Sequence, residues 1–202
     1  MPIHPPNTPG AGPLLTPCKS RGVTLIELMV TVSILAILLA MGAPSMTVFL
    51  ERQAVGSLAE QFASDVRMAR TEAMKRGLPV SMCIRAPSND PTGTPSCATQ
   101  AGTRGFAAGW LVFSDLNGDG RLTSADRDVI LRDQPAASAR VASMRRSGSA
   151  LAYTLQNTGV MVGASGHVTV LPPSGQAHQR LICVNFAGRA RITDIGKTAC
   201  NA

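Results

Sequence analysis

"VTLIELMVTVSILAILLAMGA", residues 23–43, is an apolar run interrupted by one charge, Glu27. At ~1.5 Å per residue a helix of this length covers a hydrocarbon layer of ~30 Å. Lys19 and Arg21 stand before the run and Arg52 follows after a short gap, so the positive-inside rule leaves residues 1–22 in the cytoplasm. The remainder is then expected beyond the inner membrane. A cleaved secretory signal peptide is the plainer alternative: a basic start, an apolar middle and "MGA" at the cut. Against it stand the length of the run, Pro44 directly behind that cut, and a carboxylate with no purpose in a discarded segment. At bilayer depth a carboxylate costs ~2.5–3.5 kcal/mol even on the lenient insertion scale, and it therefore calls for a partner.

The rest of the composition narrows the possibilities. The chain has 202 residues, 45% of them apolar, enough for one domain with a real core plus an extension. Lys and Arg number 19 against 12 Asp and Glu, a net charge of +7 that favours anionic partners such as nucleic acid or anionic lipid. With five Phe, one Trp and one Tyr, clustered base-stacking platforms are poorly supported. None of the five cysteines falls in a zinc spacing. His167 and His178 stand in no metal spacing, and no serine elbow, paired carboxylates or phosphate loop is present, so no enzyme pattern emerges.

Residues 1–17 are proline-rich and without apolar pattern, a leader with no structural signal. Beyond Pro44, Leu58, Phe62, Val66, Ala69 and Ala73 recur at helical spacing. Lys75, Arg76, Gly77 and Pro79 supply the stop signals, giving an amphipathic helix over 44–77. Short β-branched runs follow at 79–84, 109–115, 128–132, 150–156, 167–172, 180–186 and 189–195, with loops at 86–105 and 133–149. The expected fold is α+β: a long helix, apolar then amphipathic, laid on antiparallel sheets formed by residues 78–202.

"RGVTLIELMV", residues 21–30, with Gly22 before the apolar run and Glu27 inside it, resembles the N-terminal signal of type IV pilins and type II secretion pseudopilins. The resemblance implies cleavage by a prepilin peptidase between Gly22 and Val23, methylation of the new N-terminus, and a helix-bending role for Pro44. It also supplies the partner for Glu27, the free amine of a neighbouring subunit, making that charge a register device for filament assembly. "ARTEAMKRGLPVSMC" (69–83) and "GWLVFSDLNGDGRLTSADRDVILR" (109–132) are similar to blocks of the GspH/FimT family. That family holds minor pilins of type IV pili and minor pseudopilins of type II secretion. The implied partners are other pilins or pseudopilins, the prepilin peptidase and an inner-membrane assembly platform. The implied place is a single pass in the inner membrane, with the C-terminal domain in the periplasm.

Removal of the leader takes Cys18 with it and leaves Cys83, Cys97, Cys183 and Cys200 in an oxidising compartment. Among the pairings open to them, Cys83 with Cys97 and Cys183 with Cys200 close short loops, and a ~15-residue loop is worth roughly 3 kcal/mol. "DLNGDGRLTSAD" (115–126) fits a calcium loop, with Asp115, Asn117, Asp119, the Arg121 position and Asp126 as ligands around Gly120. It fits a tight hairpin between strands equally well. In "GRAR" (188–191), Arg189 and Arg191 point to one side of an extended segment, with Arg180 and Lys197 as candidate neighbours. Such a pair is either a solvated turn or a sequence-blind phosphate grip. The resemblance favours the grip, because GRxR near the C-terminus is the DNA-binding motif of family members active in DNA uptake, and double-stranded DNA is the implied ligand. Replacing Glu27 by Ala is expected to leave membrane insertion intact and to abolish incorporation into filaments, read by membrane fractionation beside filament shearing.

Overall fold

The computed structural model describes residues 22–87, 93–163 and 165–200, without the side chains at 41–44. The leader through Arg21, including Cys18, lies outside the described residues, as does the 88–92 part of the first long loop. Helix α1 runs from Leu25 to Arg76. Thr24 starts it by accepting the Glu27 N–H on its hydroxyl at 3.3 Å. "TLIE" is thus also a capping-box sequence, and a glutamate in the first turn suits the helix dipole. Gly77, at φ 68°, closes the other end and returns its N–H to the Ala73 carbonyl at 3.0 Å.

The chain divides into two units between Ala43 and Pro44. In the first, the helix carries apolar side chains on every face, with Leu25, Ile26, Leu35 and Leu39 all more than half exposed. A surface of this kind marks contact with lipid or protein. Among the described residues no single helix is long and apolar enough to cross a membrane; Leu25–Ala40 meets the measure only together with Ser45–Arg76.

The second unit has its own core. Its strands are β1 (Val80–Ile84), β2 (Trp110–Ser114), β3 (Val129–Gln134), β4 (Ser143–Arg146), β5 (Ala152–Leu155), β6 (Met161–Val162), β7 (Gly166–Leu171), β8 (Arg180–Val184) and β9 (Ala190–Ile192). They form a five-stranded sheet ordered β3-β2-β1-β5-β6 and a four-stranded sheet ordered β4-β7-β8-β9, with antiparallel pairing throughout. Leu58, Phe62, Val66, Ala69 and Ala73 of α1 are buried with residues of both sheets, including Met82, Trp110, Val168 and Ile182. Phe62 is the large side chain of this stripe and is fully buried. Its ring meets Phe106 edge-on at 5.1 Å, Trp110 at 5.3 Å and Tyr153 at 6.2 Å.

One turn further along, buried Asp65 accepts the Trp110 indole N–H at 2.8 Å and pairs with Arg132 at 3.1 Å. Burial pushes its carboxyl above the ordinary aspartate value, and the indole and guanidinium oppose that rise. The helix is thereby tied by charge as well as by packing.

Two expectations about the strands need correction. The segment 133–149 is not all loop, since β3 extends to Gln134 and β4 lies within it, pairing with β7. "SMRR" conceals this because Met144 alone among its side chains is buried. The runs 180–186 and 189–195 shorten to β8 and β9, because Asn185 to Arg189 form the turn between them. Phe62→Ala is expected to destabilise residues 44–202 by about 3–5 kcal/mol, measured by urea unfolding.

Candidate nucleic-acid interface

Three hydrogen bonds fold the β8–β9 connection. The Asn185 N–H reaches the Arg189 carbonyl at 3.1 Å, Gly188 N–H the Asn185 carbonyl at 2.9 Å, and Arg189 N–H the Asn185 Oδ1 at 3.0 Å. Gly188 has φ 64°, as in a three-residue hairpin loop closed by a left-handed residue. Space demands glycine here as well: a Cβ would come within 2.6 Å of Leu155 and 3.0 Å of the Gly159 carbonyl. This glycine is accordingly a packing residue that fixes where Arg189 begins.

Ala190 turns into the core, whereas Arg189 and Arg191 are exposed, the alternation expected of an extended segment. Arg191 stands opposite Cys183 in the ladder. β9 is an edge strand, and Arg67 of α1 donates to the Ala190 carbonyl at 3.2 Å. Beside this contact lies a cleft of about 370 Å³, bordered by Arg67, Arg70 and Thr71 of the helix and by Gly188 and Arg189 of the turn. The Arg70 Nε is buried without a hydrogen-bond partner. Three guanidinium groups around one small cleft suit a phosphate or another anion, each able to offer a bidentate fork.

Arg67 and Arg70 were not among the residues singled out in the sequence. Each follows a stripe residue, Val66 or Ala69, by one position, which marks a common flank of α1 but not the strand that the flank meets. Arg180 and Lys197, by contrast, are not gathered beside the pair. Arg180 shares its alternation with the core-facing Ile182 and Val184 and so lies on the other face of the sheet from Arg191. The Lys197 carbonyl accepts from Gln179 at 3.0 Å, next to the start of β8. That end is about 13 Å of strand away from the turn.

The cysteines pair as Cys83–Cys97 and Cys183–Cys200. The second bond brings the C-terminal segment back to β8 beside Arg191. Gly22 and Val23 precede the helix in irregular backbone, and Glu27 is exposed in its first turn. His167 lies in β7, and His178 ends a short 3-10 turn with its Nε2 2.5 Å from an Arg52 nitrogen.

The acidic loop between β2 and β3 satisfies itself. Buried Asp115 accepts the Gly118 and Gly120 amides at 2.8 Å each and the Ser81 hydroxyl at 2.6 Å. Asn117 and Asp119 each accept the amide two residues on. Asp126 receives the Asn117 amide group and the Thr123 hydroxyl. The Arg121 N–H is the one that Asp119 holds. Among the described residues no group of three acidic, His or Cys side chains could hold a metal ion. Asp115, Asn117, Asp119 and Asp126 thus each accept a hydrogen bond from within the loop or from β1. Melting in calcium and in chelator is expected to coincide, while Asp115→Ala is expected to remove about 3 kcal/mol, the scale of charge-assisted buried hydrogen bonds.

Comparison with known proteins bears on the family and the fold. The family described as Type II transport protein GspH matches residues 58–188, and the prokaryotic N-terminal methylation motif matches residues 17–43. The type IV minor pilin FimU of Pseudomonas aeruginosa superposes in one crystal form with a TM-score of 0.54 at 17% identity, covering 74% of this chain and 95% of that one. A second crystal form of the same protein gives 0.51 at 15% identity, over 70% and 94%. The minor pseudopilin EpsH of Vibrio cholerae gives 0.45 at 11%, over 69% and 95%. No curated protein matches the sequence. The solved structures establish the fold, a long helix on antiparallel sheets. With the family matching well over half of its length and the methylation motif at its start, this chain belongs to the GspH family of pilin-like proteins.

Proposed function

We propose that this chain is a non-enzymatic minor pilin that takes part in DNA uptake. It is cut by a prepilin peptidase between Gly22 and Val23 and crosses the inner membrane once through residues 23–43. Its globular unit lies in the periplasm until an assembly platform inserts it into a type IV pilus. Glu27 pairs there with the N-terminal amine of a neighbouring subunit, and the exposed apolar faces of residues 25–39 meet other pilins. Double-stranded DNA binds through Arg189 and Arg191, with Arg67 and Arg70 beside them.

The observation that carries the DNA reading is the rigid turn. Arg189 and Arg191 are exposed on a hairpin pinned by three hydrogen bonds, next to a cleft that already holds two helix arginines. Preorganised guanidinium groups grip phosphate without paying to order a loop, and they read no sequence. A second reading, a minor pseudopilin of a type II secretion pseudopilus, is favoured by the description of the matching family, Type II transport protein GspH, over residues 58–188. In that reading the same basic turn contacts an acidic surface of another pseudopilin.

Titration of duplex DNA at several salt concentrations separates the two. The wild type is expected to bind with a steep salt dependence. The Arg189→Gln/Arg191→Gln variant should lose at least about tenfold in affinity and about two units of salt slope, with an unchanged melting temperature. Failure of the wild type to bind near physiological salt would favour the secretion reading.

A further inference from the structure

Of the seven aromatic residues, five Phe, one Trp and one Tyr, the rings of Phe62, Phe106, Trp110, Phe113 and Tyr153 are buried. Phe49, on α1, and Phe186 are exposed, at 58% and 57%. Phe186 is therefore the exposed ring outside the helix, and it stands in the same turn as Arg189. Its backbone is held from two directions. The turn bonds of Asn185 enclose it, and its carbonyl accepts the Met161 N–H at 2.8 Å, from the edge strand of the other sheet. Val160 and Val162 beside it are also nearly half exposed. A ring left more than half exposed at a hairpin tip gains only part of its burial energy from folding, so its place asks for an external partner.

The neighbouring charges say which. Arg189 follows three residues later, and Arg67 and Arg70 border the adjoining cleft. A flat apolar face next to a set of phosphate-binding groups is the pairing that single-stranded nucleic acid recognises: backbone on the cations, base on the ring. A duplex uses the ring only at the cost of unstacking a base step, because its bases are stacked and paired inside the helix. We infer that Phe186 is a stacking residue that lets the GRAR turn hold unpaired nucleotides, such as a single strand or an overhang, more tightly than duplex DNA. The inference rests on the DNA reading given above and adds to it a preference of substrate.

The test uses the full chain in detergent micelles with two probes of equal length, a labelled single strand and its duplex, and with a single strand carrying 2-aminopurine. Three proteins are compared: wild type, Phe186→Leu, which keeps the turn apolar without a flat ring, and Phe186→Trp. The expected result is a 5- to 100-fold loss of single-strand affinity in Phe186→Leu, a duplex affinity unchanged within about twofold, and recovery in Phe186→Trp. Quenching of 2-aminopurine should follow the single-strand affinity. Equal weakening for both probes would make the ring a support of the turn and overturn the inference. So would unchanged binding of both probes, or a defect of Phe186→Leu confined to filament incorporation, which would assign the ring to a neighbouring subunit. Absence of any DNA binding by the wild type is the separate outcome that removes the reading on which this one stands.

Discussion

Everything in the globular unit hangs on the insertion of one helix face between two sheets. Neither sheet is closed, and each presents an apolar inner face that water would otherwise meet. The stripe from Leu58 to Ala73 covers both at once, with Phe62 wedged among Phe106, Trp110 and Tyr153. The alanines of the stripe are buried with the ring, and the flank beside them reaches the strands through long side chains such as Arg67. Asp65 adds direction to a contact that packing alone leaves free to slide, by engaging the indole of Trp110 and the guanidinium of Arg132.

The basic site is a by-product of that same geometry. Once the stripe is seated, the flank carrying Arg67 and Arg70 must face the edge strand β9, and the open carbonyl of Ala190 finds a donor there. An unpaired edge invites association with other strands, and a charged helix flank is one way to cover it. The cleft beside Arg189 thus combines edge protection with a set of fixed cations. Gly188 belongs to both arrangements, since any side chain at its position would collide with Leu155.

Much of this was legible in the sequence, for identifiable reasons. The helix was readable because its apolar spacing and its stop at Lys75, Arg76 and Gly77 are local signals. The disulfides followed from short loop closure, and the outward direction of Arg189 and Arg191 from simple alternation. What escaped depends on contacts between distant segments. β4 was hidden because arginines occupy half of it and a single Met faces the core. Arg180 looked like a neighbour of the pair because sequence distance does not reveal which face a strand residue takes. Arg67 and Arg70 carry no local signal, because nothing near them in sequence says that β9 lies across from them. The acidic loop reads as either a cation site or a hairpin, and the burial of Asp115 against Ser81 is a contact between distant segments that neither pattern announces.

The Arg67 contact with the Ala190 carbonyl also has a mechanical meaning. The second half of α1 is one continuous rod, and the hairpin that carries GRAR is fastened to it by a guanidinium, by the close approach of Gly188 to Arg70 and by the buried stripe beneath. No flexible linker lies on that route. A pull exerted on anything held at the hairpin would therefore pass to the second half of α1 through packed side chains, with the load shared across the whole buried stripe.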